Sequence, residues 1–462
     1  MGEEYDCIRY YCTAGSGMEP FLVEEVKSKL SATDVDHISG RVFFSTCAPL
    51  EHVTKLKSAE RLFLLIRRDP PISLPKFAAR TISKIQRSII GDLNSWIHTL
   101  SIWSRLVEEL KPVSGRGQKR KREEEDETRV NDKSLRNEET LLGQTSPTFR
   151  VNCRCSGAVM CSFTSQDFSR IIGTAIRRQL GWKVDLREPD LEVNVSINDD
   201  HCILGIPLLK CSLASRSYIK HSGLRSTVAW TMASLCSIQE GCVILDPMCG
   251  VGTVLLEAAQ ECSSTLFIGM DCSAAQLLKA AENVETAGLG GRVELLQSSA
   301  MEIPLPSNSV DGVICDVPFG RKFSCGTNVT VALPKLIREM ERVLSVNGSL
   351  VLLLSLQLSA LLKKLLSPDR CLLATDPLTN KNTSNIDSSD THTNTCRPDT
   401  DTHSNKHSSE GDIQLSPCTL QLQSIYRVSL GNTDGLIHKY LKTMYGHTAT
   451  KAHTHKDIDI QK

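Results

Sequence analysis

The sequence predicts an α/β protein in which a doubly wound, mostly parallel sheet fills the C-terminal half and two smaller α+β modules precede it. From Ser222 onward, apolar runs (CVILDPM, LFIGMD, VELLQ, VDGVICD, SLVLLLS) alternate with helical patterns (TVLLEAAQE, AAQLLKAAENVE, LPKLIREMERVL), as parallel strands joined by crossover helices do. Three of those strand patterns lead into an aspartate, at Asp246, Asp271 and Asp316. The first 220 residues instead mix helices with short alternating runs, and a charged stretch divides them.

Residues 1–111 carry strand patterns (IRYYCTA, RVFFST) and amphipathic helices such as PFLVEEVKSKL, where Phe21, Leu22, Val26 and Leu30 share a face. This predicts a small α+β, ferredoxin-like unit. Residues 112–148 include GRGQKRKREEEDE, a basic run abutting an acidic one that cannot bury enough apolar surface to fold alone, and are expected to be a linker. The KRKR run reads equally as a nuclear address or as a plain solvated stretch. Residues 149–220 hold VNCRCSG, the helical DFSRIIGTAIRRQLG, and two runs, LEVNVSIND and CILGIPLL, that form a hairpin pattern. The catalytic-type α/β domain is expected over 221–445, interrupted by a Ser/Thr/Asn/Asp/His-rich insertion at 374–412 expected to be disordered. TLQLQSIYRVSLG then returns to alternation and supplies late strands of the same sheet, and 446–462 reads as a flexible tail.

Composition narrows the function classes. The chain has 462 residues, room for about three domains of ~150 residues. Lys+Arg and Asp+Glu are both 53, so a polyanion would have to be held by a local basic face rather than an overall field. The 18 cysteines are scattered, no secretory signal precedes them, and reduced thiols are expected. Neither Cys153-Arg154-Cys155 nor the Cys7 to Cys12 stretch has the paired spacing of a zinc site, so no metal is expected. No apolar stretch reaches the ~20 residues that span a bilayer, which points away from a membrane and to nucleus or cytoplasm.

The strongest local motif is DPMCGVGTVLLEAA. An apolar strand ends at Asp246, Gly250 and Gly252 permit a tight turn with close backbone approach, and Thr253 opens a helix, the layout of a nucleotide-binding loop. A dinucleotide fingerprint would need a third glycine where Leu255 stands, which weakens a nicotinamide reading. Asp271 ends the next strand, placed either to accept both ribose hydroxyls or to cap the helix that follows. ICDVPFG sets an acid and an aromatic at the end of a buried strand, where open α/β sheets bind ligands, so Asp316 and Phe319 are candidates to touch substrate.

In order, DPMCGVGT, GMD and CDVPFG resemble the Rossmann-like class I methyltransferases that use S-adenosylmethionine. With TAGSGMEPFLVEEVKSKL, GRVFFST, PDLEVNVSINDDHCILGIPLL, SRSYIKH and HSGLRSTVAW, the chain resembles more closely the guanine-N2 branch of the THUMP-domain RNA methyltransferases. The likeness implies a seven-stranded sheet for the catalytic domain and a THUMP RNA-binding module at 149–220. It implies an S-adenosylmethionine pocket of Asp246, Gly250, Gly252 and Thr253 around the methionine part, Asp271 on the ribose and Ser299 near the adenine, with Arg225 and Thr227 alongside. The family carries an acid around 298–300 where this chain has Ser-Ser-Ala, a departure at the adenine contact.

It further implies that Asp316 and the Val317 carbonyl accept the two N–H bonds of a guanine 2-amino group. Pro318 holds Val317 extended, and Phe319 stacks on the extruded base. At an ordinary pKa of about 3.9 Asp316 is too weak a base to deprotonate the amine first, so proton loss is expected to follow methyl transfer. Arg170, Arg177 and Arg178 on the predicted helix, and Arg216, Lys220 and His221 beyond it, suit RNA phosphate contacts, or equally a solvated face. The implied partners are a structured RNA, either a tRNA or a U6-type small nuclear RNA, and a small zinc-binding Trm112-like activator subunit. A non-catalytic RNA-binding protein with a degenerate methyltransferase domain, and a methyltransferase for a small molecule or protein, are the competing readings.

Overall fold

Two segments that look separate in sequence share a sheet. The computed structural model describes residues 7–72, 78–110, 147–158, 163–319, 329–366 and 419–444. The expected insertion 374–412 and tail 446–462, and all but the last two residues of the expected linker 112–148, lie outside these.

The first part runs β1 (Ile8–Thr13), α1 (Glu19–Leu30), β2 (Thr33–Ile38), β3 (Arg41–Thr46), α2 (Leu50–Val53), β4 (Arg61–Asp69), α3 (Ala78–Ile90) and α4 (Leu93–Glu109). The second runs β5 (Thr148–Cys155), α5 (Ser165–Leu180), β6 (Lys183–Val184), β7 (Leu191–Ile197) and β8 (Cys202–Pro207). Among the described residues these form one eight-stranded sheet of order β2-β3-β1-β4-β8-β7-β5-β6. The join is the antiparallel pairing of β4 with β8, from Phe63 opposite Pro207 to Asp69 opposite Cys202. Each strand would otherwise present unpaired backbone groups at an edge, and pairing them satisfies both.

Period-two alternation sends Leu191, Val193, Val195 and Ile197 of β7 to the same core as Phe168, Ile172, Ala175 and Ile176 of α5. A Thr164–Asp167 capping box starts α5, and Gly181 in the left-handed region (φ 70°) ends it. One expectation fails here: Cys7 and Cys47, which flank the paired ends of β1 and β3, form a disulfide, so the cysteines are not all free thiols. Cross-strand register, invisible in the spacing of 40 residues, brings them together.

The C-terminal half contains α6 (Ser226–Leu235), β9 (Val243–Asp246), α7 (Thr253–Glu261), β10 (Leu266–Asp271), α8 (Ala274–Thr286), β11 (Val293–Gln297), β12 (Val310–Asp316), α9 (Val329–Val343), β13 (Leu344–Ser355), α10 (Leu356–Leu365), β14 (Leu420–Ser429) and β15 (Asp434–Lys442). The expected doubly wound sheet of seven strands is present, in the order β11-β10-β9-β12-β13-β15-β14. Pairings from β11 through β13 are parallel, and β15 and β14 add antiparallel. Chain order reverses at β9, so a crevice opens between the carboxyl ends of β9, β10 and β12. Separate apolar cores cover the two faces, one with α6 and α7, the other with α9 and α10.

The N-terminal part is bolted to this domain. Met18 is buried in the α6/α7 core, Phe21 meets Tyr426 edge-to-face at 4.9 Å, and Ser429 donates its N–H to the Ser16 carbonyl. Gly17 (φ 85°) runs so close to β14 that a Cβ there would lie 1.9 Å from the Arg427 carbonyl oxygen. Arg216 forks onto Glu257 of α7, Nε to Oε1 at 2.9 Å and Nη2 to Oε2 at 3.2 Å, and also donates to the carbonyls of Lys57 and Leu213. Its side chain is 5% exposed and that of Glu257 is 0% exposed. The expectation that Arg216 contacts RNA phosphate is therefore corrected: its donors are spent inside the protein.

Removing one member of a buried ion pair strands the other charge, so Arg216→Ala should lose about 3–5 kcal/mol of stability in urea unfolding. An unchanged midpoint would contradict the pairing.

Candidate functional site

Gly250 and Gly252, both in the left-handed region (φ 55° and 82°), turn the chain sharply between β9 and α7. Among the described residues a Cβ on Gly250 would meet no atom within 4 Å, so the space beside the turn there is open. The turn is fixed by backbone bonds, Cys249 N–H to the Met270 carbonyl and Gly252 N–H to the Cys249 carbonyl, each 2.8 Å. The buried Asn283 amide of α8 holds it from outside, donating to the Val251 carbonyl at 2.9 Å and accepting the N–H groups of Lys220 and His221.

Three carboxylates converge there. Asp246 is buried and its Oδ1 accepts the Met248 N–H at 3.1 Å. Asp271 Oδ2 accepts the Gly250 N–H at 3.0 Å and Oδ1 the Ser273 N–H at 2.8 Å. The N-cap of α8 is Ser273, so Asp271 is a brace of the glycine turn rather than a helix cap. Burial pushes Asp246 well above the ordinary carboxylate range, and the neighbouring Asp316 and Asp271 add to the effect. Burial alone pushes Asp316 up to about 7. That differs from the ordinary value expected from sequence, which ignores desolvation at a strand end.

Asp316, Val317, Pro318 and Phe319 line the same cavity as Asp246, Gly250 and Thr253, a space of about 790 Å³. Val317 is anchored: its side chain is fully buried and its N–H donates to the Leu353 carbonyl of β13 at 3.1 Å. Phe319 is half-buried against the α6/α7 core. Gly320 lies outside the described residues. Arg225, at the cavity wall, donates to Glu60 of the N-terminal module at 3.4 Å, and Thr227 bonds the same oxygen at 3.2 Å.

The remaining candidates sit elsewhere. Ser299 is exposed in the loop after β11, outside the cavity lining, where its hydroxyl accepts the Met301 N–H. Arg170, Arg177 and Arg178 are exposed on α5, and Lys220 pairs with Glu282 at the surface. Sequence reasoning missed Leu430 and Thr433, which reach the cavity from the β14–β15 turn, and Gln276 and Met248. Leu430 lies more than a hundred residues from Asp316, so no local pattern marks it; Gln276, in the first turn after Asp271, could have been found from its position.

The arrangement fits S-adenosylmethionine. The Thr253 hydroxyl is buried at the start of α7 with no hydrogen-bond partner among the described residues, beside the open glycine turn, ready for a polar group of a ligand. Two buried or partly buried carboxylates lining the cavity, with Asp271 behind them, suit a cationic sulfonium.

Comparisons with known proteins agree with this layout. Residues 214–367 match the RMKL-like methyltransferase domain family and residues 128–206 the THUMP domain. The chain is 40% identical to mouse U6 snRNA (guanine-N(2))-methyltransferase THUMPD2 over 94% of this chain and 91% of the relative. To the human protein of the same name it is 41% identical over 75% and 78%. To the human tRNA (guanine(6)-N(2))-methyltransferase THUMP3 it is 26% identical over 72% and 77%. Among solved structures, TrmN from Thermus thermophilus superposes with a TM-score of 0.61 at 20% identity, covering 94% of this chain and 99% of that one. SMU.472, a methyltransferase complexed with SAH, gives 0.58 at 12% identity over 95% and 99%.

The raised Asp316 value fixes a pH dependence. In the folded, ligand-free protein Asp316 keeps its proton up to about pH 7, while the unfolded chain releases it near 3.9, so the native state binds more protons in between and stability falls as pH rises across that window. Asp316→Asn should flatten this part of the melting temperature profile and raise the melting temperature at pH 7; equal slopes for the two proteins would contradict the burial of this carboxyl.

Proposed function

The chain belongs to the family of THUMP-domain RNA guanine-N2 methyltransferases, and from that premise we propose that it methylates the 2-amino group of a guanine in a structured small RNA, a tRNA or a U6-type small nuclear RNA. The observation that carries this is one cavity holding both the glycine turn and the Asp316–Phe319 strand end.

S-adenosylmethionine, when bound, supplies an activated methyl group on a cationic sulfur. Gly250 and Thr253 would receive its amino-acid end and Asp246 its positive charge, while Gly252 turns the chain behind them and Asp271 keeps the turn in shape and would face the ribose. Ser299 follows Ser298, whose N–H donates to the Asp271 carbonyl at 3.2 Å, and from that position beside the ribose acid it would face the adenine.

A guanine 2-amino nitrogen is a poor nucleophile because its lone pair is delocalised into the ring. Asp316 accepts one of its N–H bonds and the Val317 carbonyl the other, which turns the lone pair toward the cofactor. Leu353 holds the Val317 backbone and Pro318 restricts its conformation, so that carbonyl is set before substrate arrives. Phe319 carries the face of the flipped base. Acceleration comes from positioning and from negative charge beside the nitrogen as it becomes positive. With a pKa near 7, Asp316 remains too weak to take a proton from the neutral amine, yet takes one readily from the methylated cation.

Arg170, Arg177 and Arg178 remain exposed for phosphate contacts, and Lys220, exposed but paired with Glu282, would exchange that partner for a phosphate to join them. A Trm112-like activator is the proposed partner, at the β11 edge of the sheet, where Leu266, Leu278 and Leu296 are exposed. Nucleus and cytoplasm are the proposed locations.

With the activator present and tritiated S-adenosylmethionine as donor, Asp316→Asn should cut transfer to small RNA by about 10²–10³-fold while S-adenosylhomocysteine still binds. Phe319→Ala should weaken productive RNA binding by about 1–3 kcal/mol. Nucleoside mass spectrometry should identify the product as N2-methylguanosine. A wild-type assembly as inert as the Asp316 variant would favour the non-catalytic RNA-binding reading.

A further inference from the structure

A second cavity, of about 480 Å³, lies between the loop after α2 and the segment that connects β8 to α6. We propose that it is a phosphate-binding site for the RNA backbone beside the nucleotide being modified, with Lys57 and Lys210 as its ligands. This deepens the preceding reading, since it rests on the substrate being RNA.

The charge content of the two cavities is opposite. Among the described residues the catalytic one is lined by Asp246 and Asp316 against a single cation, Arg225. The second is lined by Lys55, Lys57, Lys210 and Arg216 with no carboxylate side chain, and by the exposed hydroxyls of Ser215 and Ser217. Not all four cations are available. Arg216 is committed to Glu257, and Lys55 is held by Glu51 in an ion pair whose side chains are 64% and 75% exposed.

Lys57 and Lys210 are different: among the described residues neither has a carboxylate within ion-pair distance. Lys57 is half-buried, its ammonium bonded to the Tyr218 hydroxyl at 2.8 Å and lying 4.8 Å from that ring's centre. Burial costs this ammonium more than Glu257 and Glu261 return from beyond ion-pair distance, with Arg216 and Lys29 opposing it, so an arriving anion would still be favourable.

Position selects RNA over other anions. The segment that lines this cavity through Tyr218 lines the catalytic cavity from Ser222 onward, at most about 14 Å further along an extended chain. On α7, Thr253 of the catalytic cavity and Glu257, which accepts from Arg216 and Tyr218, are four residues or about 6 Å apart. A strand with one base in the catalytic cavity therefore has neighbouring phosphates within reach of Lys57 and Lys210. The rigid Arg216–Glu257 pair fixes the distance between the two sites.

Cys211, an exposed free thiol in the cavity lining, reports occupancy without any substitution. The full chain is treated with N-ethylmaleimide with and without transcribed U6 small nuclear RNA or total tRNA, and Cys211 labelling is followed by peptide mass spectrometry. RNA should slow labelling of Cys211, and polyglutamate at equal charge should not. In parallel, the Lys57→Met, Lys210→Ala double variant should bind RNA with a slope of log affinity against log salt shallower by about 1.5, two phosphate contacts fewer, and bind S-adenosylhomocysteine as before.

Unprotected Cys211, protection by polyglutamate equal to that by RNA, or an unchanged salt slope overturns the site. Methyl transfer without Cys211 protection would remove this proposal and leave the guanine-N2 reading standing. Protection without methyl transfer would do the reverse.

Discussion

The constraint on which the rest depends is the crowding of three carboxylates, Asp246, Asp271 and Asp316, at the carboxyl ends of adjacent strands. Reversal of chain order at β9 places β10 on one side and β12 on the other, so three strand ends that are far apart in sequence open into one crevice. Burial makes the charge there costly, as the upward displacement of Asp246 and Asp316 records. Such a site favours protonated acids until a cation enters it, and a sulfonium donor is such a cation. Asp271 takes two backbone N–H groups and in doing so shapes the glycine turn.

The modules in front of the catalytic domain are not loosely strung. The β4–β8 pairing merges the first two into one sheet, and Arg216, Phe21 and the Gly17 approach fasten that sheet to α7 and β14. Glu60 of the N-terminal part reaches Arg225 at the wall of the catalytic cavity. A fixed distance between an RNA-holding surface and a reaction centre lets RNA shape, rather than base sequence alone, choose the target.

Much of this was legible in the sequence where the signal is local. Apolar runs ending in aspartate marked β9, β10 and β12, and the glycine pair before Thr253 marked the turn, because strand burial and positive φ leave traces within a few residues. The doubly wound sheet followed from the alternation of strand and helix patterns, and its seven strands from the family resemblance. What escaped was non-local. Leu430 and Thr433 join the cavity through sheet order. Asn283 looks like any polar residue of an amphipathic helix, yet it ties the glycine turn to the incoming chain. Arg216 has the composition of an RNA contact and the burial of a structural ion pair, and only its partner Glu257, 41 residues on, tells the two apart. The Cys7–Cys47 bond depends on the register of β1 against β3, which spacing does not reveal.

The carboxylate crevice is tested most directly by titrating the ligand-free protein with S-adenosylmethionine in calorimetry at pH 6.5, in two buffers of different ionisation enthalpy. Entry of the sulfonium should force Asp246 and Asp316 to ionise, so binding should release protons into the buffer, and Asp316→Asn should release fewer. Binding with no net proton exchange, or with uptake, would contradict a crevice of protonated acids awaiting a cation.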